Sequence, residues 1–148
     1  MFTKILVAYD HSPESDKALN TGIELAKLYK VDLYSITVTE ELPSYATMSY
    51  PDIPFDPELL QSLDDKRDAF YEDLSCDAIK RAAEAGVTLH AALMHGFECE
   101  SIINHAREIG ADLLLLGLHP HPAVIDHLWG STEQKIAWAA PCSILAVR

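Results

Sequence analysis

Three histidines, His119, His121 and His127, stand close together beside Asp126 in the stretch GLHPHPAVIDHLWGST, residues 117–132. Imidazoles at His-x-His spacing on an extended segment point to one side. With a carboxylate they could share Zn²⁺ or Ni²⁺. They could instead contact a ligand or, when protonated, support an anion, although loop histidines are more often solvent-exposed bystanders. The same stretch opens on Gly117 and closes on Gly130, Ser131 and Thr132. Glycines let backbone approach an anion, and the free N–H groups at a helix start bind phosphate. Ser131-Thr132-Glu133-Gln134 is equally a capping box, in which Ser131 serves the helix and not a ligand. Asp10 follows an apolar run. There a carboxylate can hold Mg²⁺ on a phosphate, or a ribose hydroxyl, or accept backbone N–H groups of its own turn.

Several chemistries lack their motif. The six glycines form neither GxGxxG nor GxxxxGK[ST], and no GxSxG is present, so the dinucleotide fingerprint, the P-loop and the serine-hydrolase elbow are missing. No catalytic residue is assigned. Cys76, Cys99 and Cys142 are odd in number and form no CxxC. They are expected as small core residues in a reducing cytoplasm. Net charge is −12, and residues 31–80 carry twelve Asp/Glu against three Lys/Arg. A nucleic-acid partner is therefore disfavoured, and an anionic ligand needs local donors or an accompanying cation. No apolar run approaches the roughly 20 residues of a membrane span. The opening residues show no small-residue cleavage site, so a cytoplasmic location is expected.

These groups must be positioned by alternating elements. Residues 4–9 read as a strand buried on both faces. Ser12, Pro13 and Glu14 then suit a helix start, with Ala18, Leu19, Gly22, Ile23, Leu25, Ala26 and Tyr29 recurring at helical spacing. Residues 32–38 are a second strand. Four prolines interrupt residues 40–57, an excursion that serves as a lid, a contact surface or a passive loop. A long helix over residues 58–85 presents Leu60, Leu63, Phe70, Leu74, Ala78 and Ala82. Residues 87–94, 113–116 and 143–147 are further strands, separated by helices over 98–109 and 132–139. Trp129 and Trp138 are expected to pack. The alternation predicts one doubly wound α/β domain over residues 1–148 with a mainly parallel sheet and helices on both faces. Ligands of such sheets sit beyond the carboxyl ends of the strands.

The whole chain resembles the universal stress protein family. The resemblance rests on KILVAYDHSPES, the Gly96 turn before an Ile-rich helix, ADLLLLG, and GSTEQKI with APCSILAVR at the end. It implies a five-stranded sheet of order 3-2-1-4-5. It also implies an adenine-nucleotide site, for ATP or AMP, with or without Mg²⁺. Asp10 and Ala8 would lie near ribose and phosphates, Val38 near adenine, and Gly117, His119, Gly130, Ser131 and Thr132 around the phosphates. The nucleotide-binding branch carries Gly-x-x-Gly, nine residues, then Gly-Ser/Thr. Here Gly117 and Gly130-Ser131 match, but Pro120 stands at the second glycine. Proline removes an N–H and fixes φ near −65°. No Lys or Arg lies between Gly117 and Glu133. Family members also pair terminal strands across a two-fold axis, which implies a homodimer through the last strand. The expected function is thus a dimeric, nucleotide-binding stress-response regulator with an unidentified protein partner. The alternatives are a regulatory or adaptor dimer that has lost the phosphate site, and a weak Mg²⁺-dependent ATP hydrolase.

Overall fold

The computed structural model describes residues 1–39, 57–118 and 132–148. Its elements are β1 (Ile5–Ala8), α1 (Pro13–Tyr29), β2 (Leu33–Thr39), α2 (Pro57–Glu84), β3 (Leu89–His95), α3 (Glu98–Ile109), β4 (Leu113–Gly117), α4 (Thr132–Ala139) and β5 (Ser143–Val147). They match the expected elements in kind and order. The five strands form one sheet in the order β3-β2-β1-β4-β5, and every neighbouring pair is parallel.

The period-2 alternation of a strand divides the apolar runs between two cores. Ile5 and Val7 face α1 and α2, among Leu19, Ile23 and Ala78. Leu6, Ile36 and Leu114 face α3 and α4, among Ile102, Ala106 and Ile136. This is why residues 4–9 and 113–116 are apolar throughout: neither central strand has a solvent face. Helix ends follow local chemistry. The Ser12 hydroxyl accepts the Ser15 N–H at 3.2 Å, and Pro13 takes the first helical position. α3 stops where Gly110 turns left-handed, at φ +67°.

Three expectations need correction. Leu63 and Phe70 are 47% and 59% exposed. A 28-residue helix runs about 42 Å, whereas the seven-residue β3 beneath it runs about 23 Å. The start of α2 therefore overhangs the sheet, and among the described residues of the helix only Ala78 and Ala82, near its end, belong to the buried core. Cys76 is exposed on this helix, while Cys99 and Cys142 are half-buried against the α3–α4 core. Trp138 is 87% exposed. Ile136 takes the inward position on α4, and a residue two places further points to the opposite side of a helix. Trp129 lies outside the described residues.

Gly117 is fixed by packing. A β-carbon there would stand 2.5 Å from the Glu14 carbonyl carbon and 2.6 Å from the Ser15 nitrogen. The end of β4 is thus pressed against the first turn of α1, backbone to backbone. We expect Gly117→Ala to destabilise the protein by about 1–3 kcal/mol. Urea unfolding should show a lower midpoint with an unchanged slope.

Candidate functional site

The parallel sheet delivers four strand ends to one edge: Ala8 to Asp10, Val38 and Thr39, His95 and Gly96, and Gly117 and Leu118. Of the residues the sequence nominates, Ala8, Asp10, Val38, Gly117 and Thr132 are described. His119, His121, His127, Gly130 and Ser131 lie outside the described residues, as do Pro120 and Asp126. Ala8 and Val38 are partly buried on the α3–α4 side of the sheet, beside Met94. They leave an apolar margin at the edge between β1 and β2. Asp10 is exposed, and one of its carboxylate oxygens accepts the Ser12 N–H at 2.9 Å. The turn reading of Asp10 is therefore realised. A carboxylate has further lone pairs, so this bond does not consume the group.

Gly117 sits at the same edge without a positive φ. Its lack of a side chain is accounted for by the contact with α1. Leu118 donates its N–H to the Val147 carbonyl at 2.7 Å, so pairing with β5 continues one residue past β4. The Thr132 carbonyl accepts a weak hydrogen bond from the Cys99 thiol at 3.7 Å, which ties the start of α4 to α3. Burial pushes the Cys99 thiol upward in pKa, and nearby Glu98 adds to this. It is not poised as a thiolate.

Sequence reasoning missed two clusters on the opposite, α1–α2 side. In the first, the buried Tyr9 donates its hydroxyl to Asp16 Oδ1 at 2.8 Å. Arg81 of α2 donates to the same oxygen at 2.8 Å and to Asn20 Oδ1 at 2.6 Å. His11 adopts a left-handed backbone, φ +63°, and its ring lies 4.1 Å from the Tyr9 ring. Burial tends to raise the Asp16 carboxyl, but Arg81 and the Tyr9 hydroxyl outweigh it and hold the group low. Its contribution to stability is present above the ordinary carboxylate range and is lost as pH falls through the depressed value.

In the second cluster, Thr39 Oγ1 lies 2.6 Å from His95 Nδ1, and His95 Nε2 lies 3.3 Å from Asp68 Oδ2. An ionised carboxylate only accepts, so Nε2 carries the proton. In the neutral ring Nδ1 then accepts the Thr39 hydroxyl. These are the residue types of a nucleophilic triad, but the threonine is 4% exposed. The arrangement fastens α2 to the ends of β2 and β3. Both clusters join residues far apart in the chain, and their single polar residues form no motif that spacing could reveal.

Burial pushes the Tyr9 hydroxyl up to about 12, with Asp16 adding to the rise and Arg81 opposing it. A raised folded-state pKa contributes stability that is intact below the unfolded value near 10 and is lost as pH climbs through about 12. Phenolate absorbance during an alkaline titration should show one late tyrosine near pH 12. Tyr9→Phe should remove that step alone.

The universal stress protein family model matches residues 1–148. Universal stress protein YxiE of Bacillus subtilis is 31% identical over 151 residues, covering 100% of both chains. Among solved structures, universal stress protein UspA from Lactobacillus plantarum superposes with a TM-score of 0.77 at 21% identity, covering 99% of this chain and 97% of that one. A universal stress protein in complex with cAMP superposes with a TM-score of 0.70 at 21% identity, covering 99% of this chain and 97% of that one. With its 3-2-1-4-5 parallel sheet and a match along its full length, this chain belongs to the universal stress protein family.

Proposed function

We propose that this universal stress protein binds an adenine nucleotide, ATP or AMP, at the carboxyl edge of its sheet and acts as a dimeric stress-response regulator in the cytoplasm. The observation that carries this reading is the meeting of Ala8, Asp10 and Val38 at the ends of adjacent parallel strands. The half-buried apolar margin of Ala8 and Val38 suits a base and ribose. Asp10 suits a ribose hydroxyl, or Mg²⁺ when a triphosphate is bound. Gly117, His119, Gly130, Ser131 and Thr132 would hold the phosphates. The family member solved with cAMP supports the ligand class. Among the described residues no helix is long and apolar enough to cross a membrane.

Dimerisation through β5 agrees with that strand's place at the sheet edge, where its outer backbone groups need a partner. The exposed Trp138 precedes it on α4. That exposure favours one second reading, an adaptor whose α4–β5 corner contacts another protein while Pro120 weakens the phosphate loop.

Calorimetric titration with ATP and Mg²⁺ separates the two. Nucleotide binding should give a saturable heat that Gly130→Asp abolishes and Asp10→Ala weakens about tenfold, the loss of one charge-assisted contact. No heat, together with no nucleotide carried through purification, would leave the adaptor reading. Dimerisation through β5 should be disrupted by Leu145→Lys, read as a shift toward monomer in sedimentation velocity.

A further inference from the structure

The turn from β3 into α3 stands beside Val38 at the carboxyl edge of the sheet. Val38 and Met94 are register partners on β2 and β3, and both pack with Ala8 on the α3–α4 side. Just beyond them, Gly96 donates its N–H to the Thr39 carbonyl at 3.1 Å. It turns at φ +134°, a conformation that glycine tolerates. The chain then enters α3 at Phe97. Two residues on, the Cys99 thiol donates to the Thr132 carbonyl at 3.7 Å. The start of α3 is thereby bracketed by the apolar margin of Val38 and Met94 on one side and the start of α4 on the other.

Phe97 runs against the local rules of that position. It is the N-cap of α3, with extended backbone at φ −76° and ψ 124°, and its side chain makes no capping bond. Its carbonyl accepts the Ser101 N–H at 2.9 Å, the first bond of the helix. Serine, threonine, aspartate and asparagine suit an N-cap because their oxygens satisfy a free helix N–H, which a phenyl ring cannot do. At α1 the Ser12 hydroxyl does this for Ser15. Nor is the Phe97 ring packed, since the residue is 77% exposed. Both the cap and the burial are given up. What remains is a flat apolar face at the carboxyl edge, of the kind that a planar aromatic ring covers.

Nearby charge decides which end of a nucleotide such a face meets. Glu98 and Glu100 lie in the first turn of α3. Two carboxylates there complement the helix dipole themselves and oppose a phosphate. The uncharged base is the end that can lie against α3. We propose that Phe97 stacks on the base of the bound nucleotide and sets how tightly it is held, an inference that rests on the nucleotide reading above. The base lies between the Phe97 ring and the Val38 margin, and the phosphates run away from α3. Stacking uses the face of a base and not its edge, so Phe97 contributes affinity without choosing among bases of equal size.

Calorimetric titration of the full chain with ATP and Mg²⁺, repeated on two variants, tests this. Phe97→Ser exchanges the ring for a good capping residue. It should raise Tm by about 2–4 °C and in the same protein weaken ATP binding about tenfold. A merely structural role for Phe97 would move stability and binding in the same direction. Phe97→Trp keeps a stacking face and should bind ATP within about threefold of the parent. Its added indole fluorescence, measured against the parent's own tryptophan signal, should be quenched along the same saturation curve. The inference is overturned if the parent binds ATP and Phe97→Ser binds it as tightly. It is equally overturned if the added fluorescence of Phe97→Trp is unmoved at saturating ATP. If the parent itself gives no heat, the nucleotide reading fails and this inference with it, so the two failures are told apart by the parent alone.

Discussion

β1 has nowhere to put a polar side chain. Ile5, Leu6 and Val7 are fully buried, alternately in the two cores, and hydrogen bonds run to β2 on one side and β4 on the other. A strand enclosed in this way needs helices over both faces and parallel neighbours, which in turn need crossover connections. The rest of the architecture follows from that enclosure. So does the location of the chemistry. When every strand runs the same way, every strand-to-helix turn opens on one edge, and Asp10, Val38, His95 and Gly117 arrive there together.

Within that edge the two sides of the sheet do different things. On the α3–α4 side the strand ends leave an apolar margin with an exposed carboxylate beside it. On the α1–α2 side they carry polar side chains that tie helices down. The Tyr9 hydroxyl, for example, donates to Asp16 of α1 at 2.8 Å, and His95, bonded to Thr39, meets Asp68 of α2. One residue of offset along a strand decides which side a group serves, so Val38 and Thr39 are neighbours in sequence with unrelated surroundings.

The sequence made the elements legible because the fold's strongest forces are periodic. Continuous apolar runs marked the central strands, and Ser12-Pro13 and Gly110 marked helix ends through local hydrogen bonding and backbone freedom. Long-range geometry was not legible. Leu63 and Phe70 have helical spacing, but spacing cannot report where along α2 the sheet begins or which side of the helix meets it. Gly117 was recognised as a position that needs glycine. Whether the cause is a phosphate or the backbone of Glu14 depends on an approach between segments a hundred residues apart. Asp16 and Arg81 carry no pattern at all, because they meet only once α1 and α2 are docked. The loop from His119 to Ser131, which holds most of the nominated phosphate contacts, was readable only as a motif with Pro120 at its second glycine.

The overhang of α2 has an energetic consequence. Its described residues reach the core only at Ala78 and Ala82, and Arg81 pins the same end to α1. Among the described residues, the first half is tied to the sheet by Asp68 through His95. Unwinding that half strips little apolar surface from the interior, so it costs far less than global unfolding. Amide protons over residues 61–70 therefore exchange through a sub-global opening, while those near Ala82 wait for the whole domain. The helix is one element in shape and two in stability.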